Sequence, residues 1–278
     1  MNKTTVAMTL HKPRIMGILN LTEDSFSDGG KYLDSQKALM EAQNMIRQGL
    51  QILDIGAEST RPGSIGVPAD LQWQRISPVL SKIKELFPSI QVSIDTQSVE
   101  VAAKAITFGA DIINDISALG FDPAMAELIA ANPQVSVVLM HMQGTPQTMQ
   151  LDPQYEDVLL EVSEYLEERA NYAISKGIDP KRIIIDPGIG FGKTLEHNLQ
   201  LLANLKQFKA LGFPILLGAS RKRFISDIYP SAADQRLGGS LATTLWACQE
   251  QIDIIRVHDV KAHRQFMDVL SAIYQAGE

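Results

Sequence analysis

The stretch QVSIDTQSVEVAAKAITFGADIIND, residues 91–115, contains one complete strand–helix–strand unit. Its apolar runs Val92–Ile94 and Ile112–Ile113 are short and rich in β-branched residues, which is typical of strands buried on both faces. Between them, apolar residues recur at three- and four-residue steps from Val99 to Ile106, just before a glycine. This spacing predicts an amphipathic helix with a left-handed glycine cap, and so a parallel β–α–β arrangement.

The same alternation continues along almost the whole chain. Apolar steps predict further helices that end near Gly49, Gly177 and Gly212, the last of them running from Leu199 to Phe208. Eight units of this kind most simply close into a (β/α)8 barrel, with an open doubly wound sheet as the alternative. The predicted strands are Ile15–Leu19, Ile52–Ile55, Val92–Ile94, Ile112–Ile113, Val137–Met140, Ile183–Ile185, Ile215–Leu217 and Ile254–Val257.

The length of 278 residues fits a single α/β barrel domain over residues 1–278, because no linker or composition shift divides the chain. Alternating apolar residues before Pro13 predict a hairpin strand at the bottom of the barrel. The net charge of −7 without a basic stripe disfavours nucleic-acid binding. No apolar run is long enough to span a membrane, and residues 1–13 lack a signal-type apolar stretch. Together with the single cysteine, Cys248, this predicts a cytoplasmic protein without disulfides.

The predicted strands end in polar or charged side chains, which a barrel brings to one rim, where barrel enzymes have their active sites. Asp95, Asn114 and Asp186 are acceptors, and a carboxylate can accept two parallel N–H bonds from a cyclic guanidine or amidine edge. Cations are contributed by the ends of strands 2, 7 and 8, namely Arg61, Lys222, Arg256 and His258. This division by charge predicts a ligand with an N–H-rich head and a phosphorylated tail.

Several of these residues also have ordinary structural explanations. Asp95 is placed where a helix entry begins, Asp186 precedes a proline as in many turns, and His141 fits a core histidine. The run from Pro187 to Thr194 resembles a phosphate-binding P-loop, but that pattern requires glycine at the first position. We therefore expect a flexible glycine loop that carries Phe191 over the pocket mouth. The long connections at residues 22–34 and 58–68 are expected to act as lids over the same rim.

These residues lie in motifs that, taken together, resemble the dihydropteroate synthases of the bacterial folate pathway. The motifs follow one another in the family's order from Arg14 nearly to the C-terminus. Each motif alone is weak, and only the whole set is specific. The matching stretches are MGILNLTEDSFSDGG at 16–30, GAESTRPG at 56–63, SIDT at 93–96, IND at 113–115, MHM at 140–142, DPGIGFGK at 186–193, SRK at 220–222 and RVHDV at 256–260.

The resemblance implies that p-aminobenzoate displaces pyrophosphate from 6-hydroxymethyl-7,8-dihydropterin diphosphate by an SN1-like alkyl transfer. It also implies a (β/α)8 barrel, Mg²⁺ bound at Asn20, a homodimer and inhibition by sulfonamides. The implied pterin site consists of Asp95, Asn114, Met140, Asp186, Gly218 and Lys222. The implied pyrophosphate site consists of Asn20, Arg256 and His258, which with Lys222 are the expected catalytic residues. The implied p-aminobenzoate site and loop consist of Thr60, Arg61, Pro62, Phe191, Lys222 and Arg223.

One departure from the family pattern is Arg223, where many relatives carry serine, so sulfonamide sensitivity stays open. Two rivals share the pterin floor. A pterin-dependent methyltransferase needs no pyrophosphate site, which Arg256 and His258 argue against. A non-catalytic pterin-binding paralogue is expected to lose Asn20, the loop residues Thr60 and Arg61, or His258, and all of these are present.

Overall fold

A computed structural model describes residues 10–22, 31–59, 63–64 and 66–276 of the chain. Within them lie eight strands, one at each predicted apolar run, most of them extended by one or two residues. The strands are β1 (Arg14–Asn20), β2 (Ile52–Gly56), β3 (Gln91–Asp95), β4 (Ile112–Asp115), β5 (Ser136–Met140), β6 (Ile183–Asp186), β7 (Leu216–Leu217) and β8 (Ile254–Val257).

All eight strands pair in parallel in one sheet, in the order β6-β5-β4-β3-β2-β1-β8-β7. The first and last strands of the chain are therefore neighbours, with Arg14 opposite Ile254. A single bridge between Ile185 and Ile215 joins β6 to the segment that leads into β7. This bridge closes the sheet, so the predicted (β/α)8 barrel is confirmed and the open doubly wound sheet is wrong. The predicted N-terminal hairpin falls mainly on residues 1–9, which lie outside the described residues.

Helices follow the strands in turn and cover the outside of the barrel. Among the described residues they are α1 (Lys31–Arg47), α2 (Ala69–Leu86), α3 (Val99–Thr107), α4 (Ala124–Ala131), α5 (Val158–Ser175), α6 (Leu195–Ala203), α7 (Arg223–Ile228), α8 (Leu237–Gln249) and α9 (Val260–Ala276).

The predicted glycine caps are confirmed, because Gly49, Gly109, Gly177 and Gly212 all have positive φ angles between 80° and 95°. One helix differs from its prediction. The apolar pattern from Leu199 to Phe208 is divided between α6 and a 3₁₀ helix at Leu205–Leu211. Steps of three residues suit both periods, so the apolar spacing alone does not distinguish them.

The inward-facing side chains of the barrel form two layers. The lower layer is an apolar cluster with one residue from each of seven strands: Met16, Ile52, Ile112, Val138, Ile184, Leu216 and Ile254. Side chains alternate along a strand, so the residue two positions further also faces inward. On five of these strands that residue is Asp54, Asn114, Met140, Asp186 or Arg256. The barrel interior thus changes from apolar to mostly polar toward the carboxyl ends of its strands.

Candidate active site

The polar layer is centred on Arg256, which joins three strands through two buried carboxylates. Its Nε donates to Asp54 Oδ2 at 2.6 Å, and its Nη2 donates to Asp95 Oδ2 at 2.8 Å. Asp54 is fully buried. A buried carboxylate needs such a partner, because unpaired charge in a protein interior is costly. The proposed role of Arg256 in pyrophosphate binding stays a prediction, but its guanidinium is already held by two carboxylates.

Asp54 is not among the residues predicted from the sequence, because that prediction rests on the ends of the strands. It lies in the middle of β2, beside Ser93 of β3 in the sheet register. Asp54 Oδ1 and Ser93 Oγ are both buried without a hydrogen-bond partner. An aspartate at an inward-facing position of an otherwise apolar strand is the signal that identifies it.

The two predicted carboxylates, Asp95 and Asp186, are both buried and differ in their surroundings. Burial raises the pKa of Asp95 to about 7, although Arg256 opposes the shift. Burial also raises the pKa of Asp186, with Lys222 as the largest opposing cation. The ordinary explanation of Asp95 as a helix cap does not hold, since Ser98 caps α3 instead. Asp186 does form the predicted turn contact, because its Oδ1 accepts from the Gly188 N–H at 2.7 Å.

Lys222 lies between Asp186 and the glycine loop. Its Nζ donates to the Ile189 carbonyl and lies 4.4 Å from the centre of the Phe191 ring, a cation–π distance. Burial lowers the pKa of Lys222 to about 8, and Asp186 opposes that shift. A Cβ on Gly218 would lie 3.7 Å from Asp186 Oδ2 and 3.8 Å from Lys222 Nζ, so a side chain at this position would contact both groups.

Asn20 and Met140 lie on the same rim, at the ends of β1 and β5. Asn20 Oδ1 faces Gly56, where an added Cβ would lie 3.8 Å from it. Met140 is buried and lies opposite Asp186 in the sheet register. Asn114, also buried, lies opposite Asp95.

His258 follows β8 and contacts the loop after β7. Ser220 Oγ accepts from the His258 backbone N–H at 3.2 Å and lies 3.1 Å from the ring Nδ1. The next residue, Arg221, has a φ of +58° and forms a two-point ion pair with Asp259. These contacts fix the backbone that carries both His258 and Lys222.

Of the four remaining predicted residues, the structure describes only Arg223. Thr60, Arg61 and Pro62 lie outside the described residues, as does most of the predicted lid at 22–34. Arg223 begins α7 with a side chain that is 80% exposed, and its Nε pairs with Asp227 at 3.4 Å. Its guanidinium points to a surface carboxylate, so its role toward p-aminobenzoate stays a prediction.

Two polar residues at the strand ends are occupied with structural contacts. The carboxylate of Asp115 accepts from the Ser117 and Leu119 backbone N–H groups at 2.8 and 2.9 Å. His141 is buried, as expected of a core histidine, with Nδ1 at 2.8 Å from Lys193 Nζ.

Comparison with known proteins adds independent information. Residues 16–258 match the family model described as pterin binding enzyme. The chain is 45% identical to the dihydropteroate synthase of Neisseria meningitidis serogroup B over 270 residues, which is 95% of this chain and 94% of that protein. The chain belongs to the dihydropteroate synthase family. The resemblance inferred from the motifs is therefore confirmed.

Solved dihydropteroate synthases have the same fold. A structure from Xanthomonas albilineans, with 4-aminobenzoic acid, superposes with a TM-score of 0.88 at 41% identity, covering 94% of this chain and 93% of that one. A Yersinia pestis structure, a complex with a sulfonamide drug, has a TM-score of 0.88 at 38% identity and covers 95% of both chains. Members of the family are transferases, so the chain is an enzyme. No helix among the described parts of the chain combines the length and apolarity that a membrane crossing requires.

Proposed function

We propose that the protein joins 6-hydroxymethyl-7,8-dihydropterin diphosphate to p-aminobenzoate, giving 7,8-dihydropteroate and pyrophosphate. The observation that carries the proposal is the pair of buried carboxylates Asp95 and Asp186 at the carboxyl ends of β3 and β6, with Lys222 next to Asp186, in a chain of the dihydropteroate synthase family. A group of buried acceptors of this kind suits a heterocycle whose edge consists of N–H donors.

The pterin head would bind in the polar layer. Asp186 uses Oδ1 for its own turn, which leaves Oδ2 for a ligand donor. Asn114 offers both a carbonyl oxygen and an amide N–H₂, so it suits a ring edge with mixed donors and acceptors. Gly218 has no side chain to keep the flat ring away from Asp186 and Lys222, and Met140 would provide an apolar contact to the ring.

The diphosphate would lie toward β8 and β1. His258 and the remaining donors of Arg256 would stabilise the charge that develops on the leaving group. Among the described residues, no group of three His, Cys, Asp or Glu side chains is placed to hold a metal ion. Mg²⁺ nevertheless fits, because it commonly binds through substrate phosphates, waters and one or two protein oxygens. Asn20 Oδ1 would be that protein oxygen, and the ion would neutralise the leaving pyrophosphate.

The aromatic amine would bind on the outer side of the pterin. Phe191 and Lys222 form one wall, and the backbone at Arg223 and the loop residues Thr60, Arg61 and Pro62 would form the others. The likeness to the Xanthomonas albilineans structure with 4-aminobenzoic acid supports this substrate, and the Yersinia pestis drug complex supports inhibition by sulfonamides.

The reaction would proceed by dissociative alkyl transfer. The exocyclic C–O bond of the pterin breaks first, and the electron pair leaves with pyrophosphate. The amine nitrogen then forms the new C–N bond and releases a proton to solvent. An aromatic amine is nucleophilic while neutral, so the residues of the rim need to bind, orient and exclude water rather than act as a strong base.

Two further properties belong to the same proposal. We expect a homodimer, because Val269 and Ile273 are 55% and 63% exposed and lie one turn apart on α9. We also expect a cytoplasmic location, in keeping with a free, buried Cys248.

The decisive experiment measures pyrophosphate release by the purified protein with the dihydropterin diphosphate and Mg²⁺. Release that depends on p-aminobenzoate, with dihydropteroate formed, supports the proposal. Tight dihydropterin binding without release contradicts it and identifies a binding paralogue.

A further inference from the structure

Lys193, at the end of the glycine loop, is a buried lysine whose amino group contacts other groups of the protein. It is only 2% exposed. Its Nζ lies 2.8 Å from His141 Nδ1, donates to the Phe191 carbonyl at 3.0 Å, and has a longer contact of 3.5 Å to the His141 carbonyl. Burial lowers the pKa of Lys193 well below its usual value, which favours the neutral amine. An amine has two N–H groups and an ammonium has three, so in either form the contacts to His141 and Phe191 use them within the protein. Lys193 therefore has no N–H left for a substrate phosphate.

Side chains hold the two neighbouring carbonyls of the loop as well. Gln150 Nε2 donates to the Gly190 carbonyl at 2.9 Å, and the Tyr155 hydroxyl donates to the Gly192 carbonyl at 2.7 Å. The three consecutive carbonyls of residues 190–192 are thus all acceptors for side chains. The central one, which belongs to Phe191, is held by Lys193.

Such anchoring is needed because of the backbone of this loop. Gly188, Gly190 and Gly192 have φ angles of +67°, +81° and +64°. Glycines of this kind populate many backbone conformations when nothing restrains them. Phe191 lies between two of them, so its ring position depends on the contacts that its own carbonyl makes.

His141, the partner of Lys193, keeps both its charge state and its orientation. Burial, with a further contribution from Lys193, lowers the pKa of His141 to about 2. The ring therefore stays neutral under all ordinary conditions. It is also fixed in orientation, because its ring packs edge-on against Tyr165 at 4.9 Å between centres.

We propose that Lys193 is a positioning residue that fixes Phe191 against Lys222 and thereby sets the affinity for the aromatic amine substrate. The inference rests on the proposed function, since it assigns Phe191 to the wall of the p-aminobenzoate site. Lys193 does not touch substrate, and it acts only through the Phe191 carbonyl and the end of β5.

The test compares Lys193→Met, which keeps the length of the side chain and removes its donors, with Lys206→Met at an exposed position. We expect Lys193→Met to raise the KM for p-aminobenzoate about tenfold, the equivalent of one lost hydrogen bond to the Phe191 carbonyl. The dissociation constant for a dihydropterin, measured calorimetrically, should change by less than about threefold. Of the three cations that lower the pKa of Asp186, Lys193 has a smaller effect than Lys222 and Arg256. Its removal should therefore change dihydropterin affinity only slightly. Lys206→Met should change neither quantity.

A double variant separates positioning from general stabilisation. In the background of Phe191→Ala, adding Lys193→Met should raise the KM by less than about twofold, because the ring that the lysine positions is gone. Full additivity, or an equal loss of dihydropterin affinity, overturns the proposal. Lys193→Gln retains two amide hydrogens and should give an intermediate KM, which keeps the test valid if Lys193→Met does not fold. Absence of amine-dependent turnover in the unsubstituted protein contradicts the proposed function itself and is distinguishable from these outcomes.

Discussion

Replacing Asp186 by asparagine isolates the interaction between the pocket and the pterin head. Asp186 is 6% exposed, and Oδ1 already accepts from the Gly188 N–H. The carbonyl of an asparagine can keep this turn contact, so the amide nitrogen must replace Oδ2. The pocket then presents N–H groups where the ligand also presents N–H groups.

The expected loss follows from that exchange. A hydrogen bond to a charged acceptor contributes about 1.5–3 kcal/mol, so the dihydropterin dissociation constant should rise about 10- to 150-fold. The fold should persist, because the uncharged amide avoids the cost of burying a carboxylate charge, the same cost that raises the pKa of Asp186.

Isothermal titration with a dihydropterin measures the effect directly. Asp227→Asn, at the surface partner of Arg223, makes the same change of side chain outside the pocket and should leave the affinity unaltered. An Asp186→Asn protein that folds normally and binds the dihydropterin as tightly as before would refute the assignment of this carboxylate to the pterin.

Three further results are expected. Burial raises the pKa of Asp95 to about 7, so its carboxylate ionises as pH rises from about 6 to 8. Dihydropterin affinity should increase over this range, and titrations with Asp95→Asn should show no such increase. The lowered pKa of Lys222, about 8, predicts that kcat/KM for p-aminobenzoate falls as pH rises above that value and the ammonium deprotonates; a pH–rate profile checks this, and Lys222→Arg should move the fall to higher pH. Arg256→Met removes the partner that lies 2.6 Å from the buried Asp54 carboxylate. Urea denaturation should therefore show a loss of about 3–5 kcal/mol in unfolding free energy. A loss below about 1 kcal/mol would contradict the pairing.

The barrel and its rim were predictable because their signals are local. Each buried strand is a short apolar run, and the residue that ends it is visible in the sequence without knowledge of its partners. The alternation of side chains then places Asp95, Asn114 and Asp186 on one inner face.

The pairing inside the barrel was not predictable in the same way. Arg256 and Asp54 are 202 positions apart, and they meet only because β1 pairs with both β2 and β8. At the end of a predicted strand, Arg256 is most simply interpreted as an anion-binding cation. Of the two carboxylates that hold it, Asp95 is predicted as a strand-end acceptor, and Asp54 lies inside the predicted strand Ile52–Ile55, where no site residue is expected.

Lys193 illustrates a second limit. Its sequence context, glycine followed by lysine and threonine, favours a phosphate-binding lysine, and only a missing glycine argued against that interpretation. Its actual partner, His141, lies 52 positions away at the end of another strand. Burial of a cation depends on such distant acceptors, which no local pattern encodes.

The barrel has one weak seam, and a ligand would lie across it. Between β6 and β7 the closure consists of one bridge at Ile185 and Ile215, whereas β1 and β2 pair over five residues. Backbone amides along such a seam exchange with solvent through local opening. Asp186 ends the strand on one side, and Gly218 follows the strand on the other. A bound pterin that contacts both would hold β6 and β7 together. Protection of the backbone amides at this seam from hydrogen exchange should therefore increase when the site is occupied.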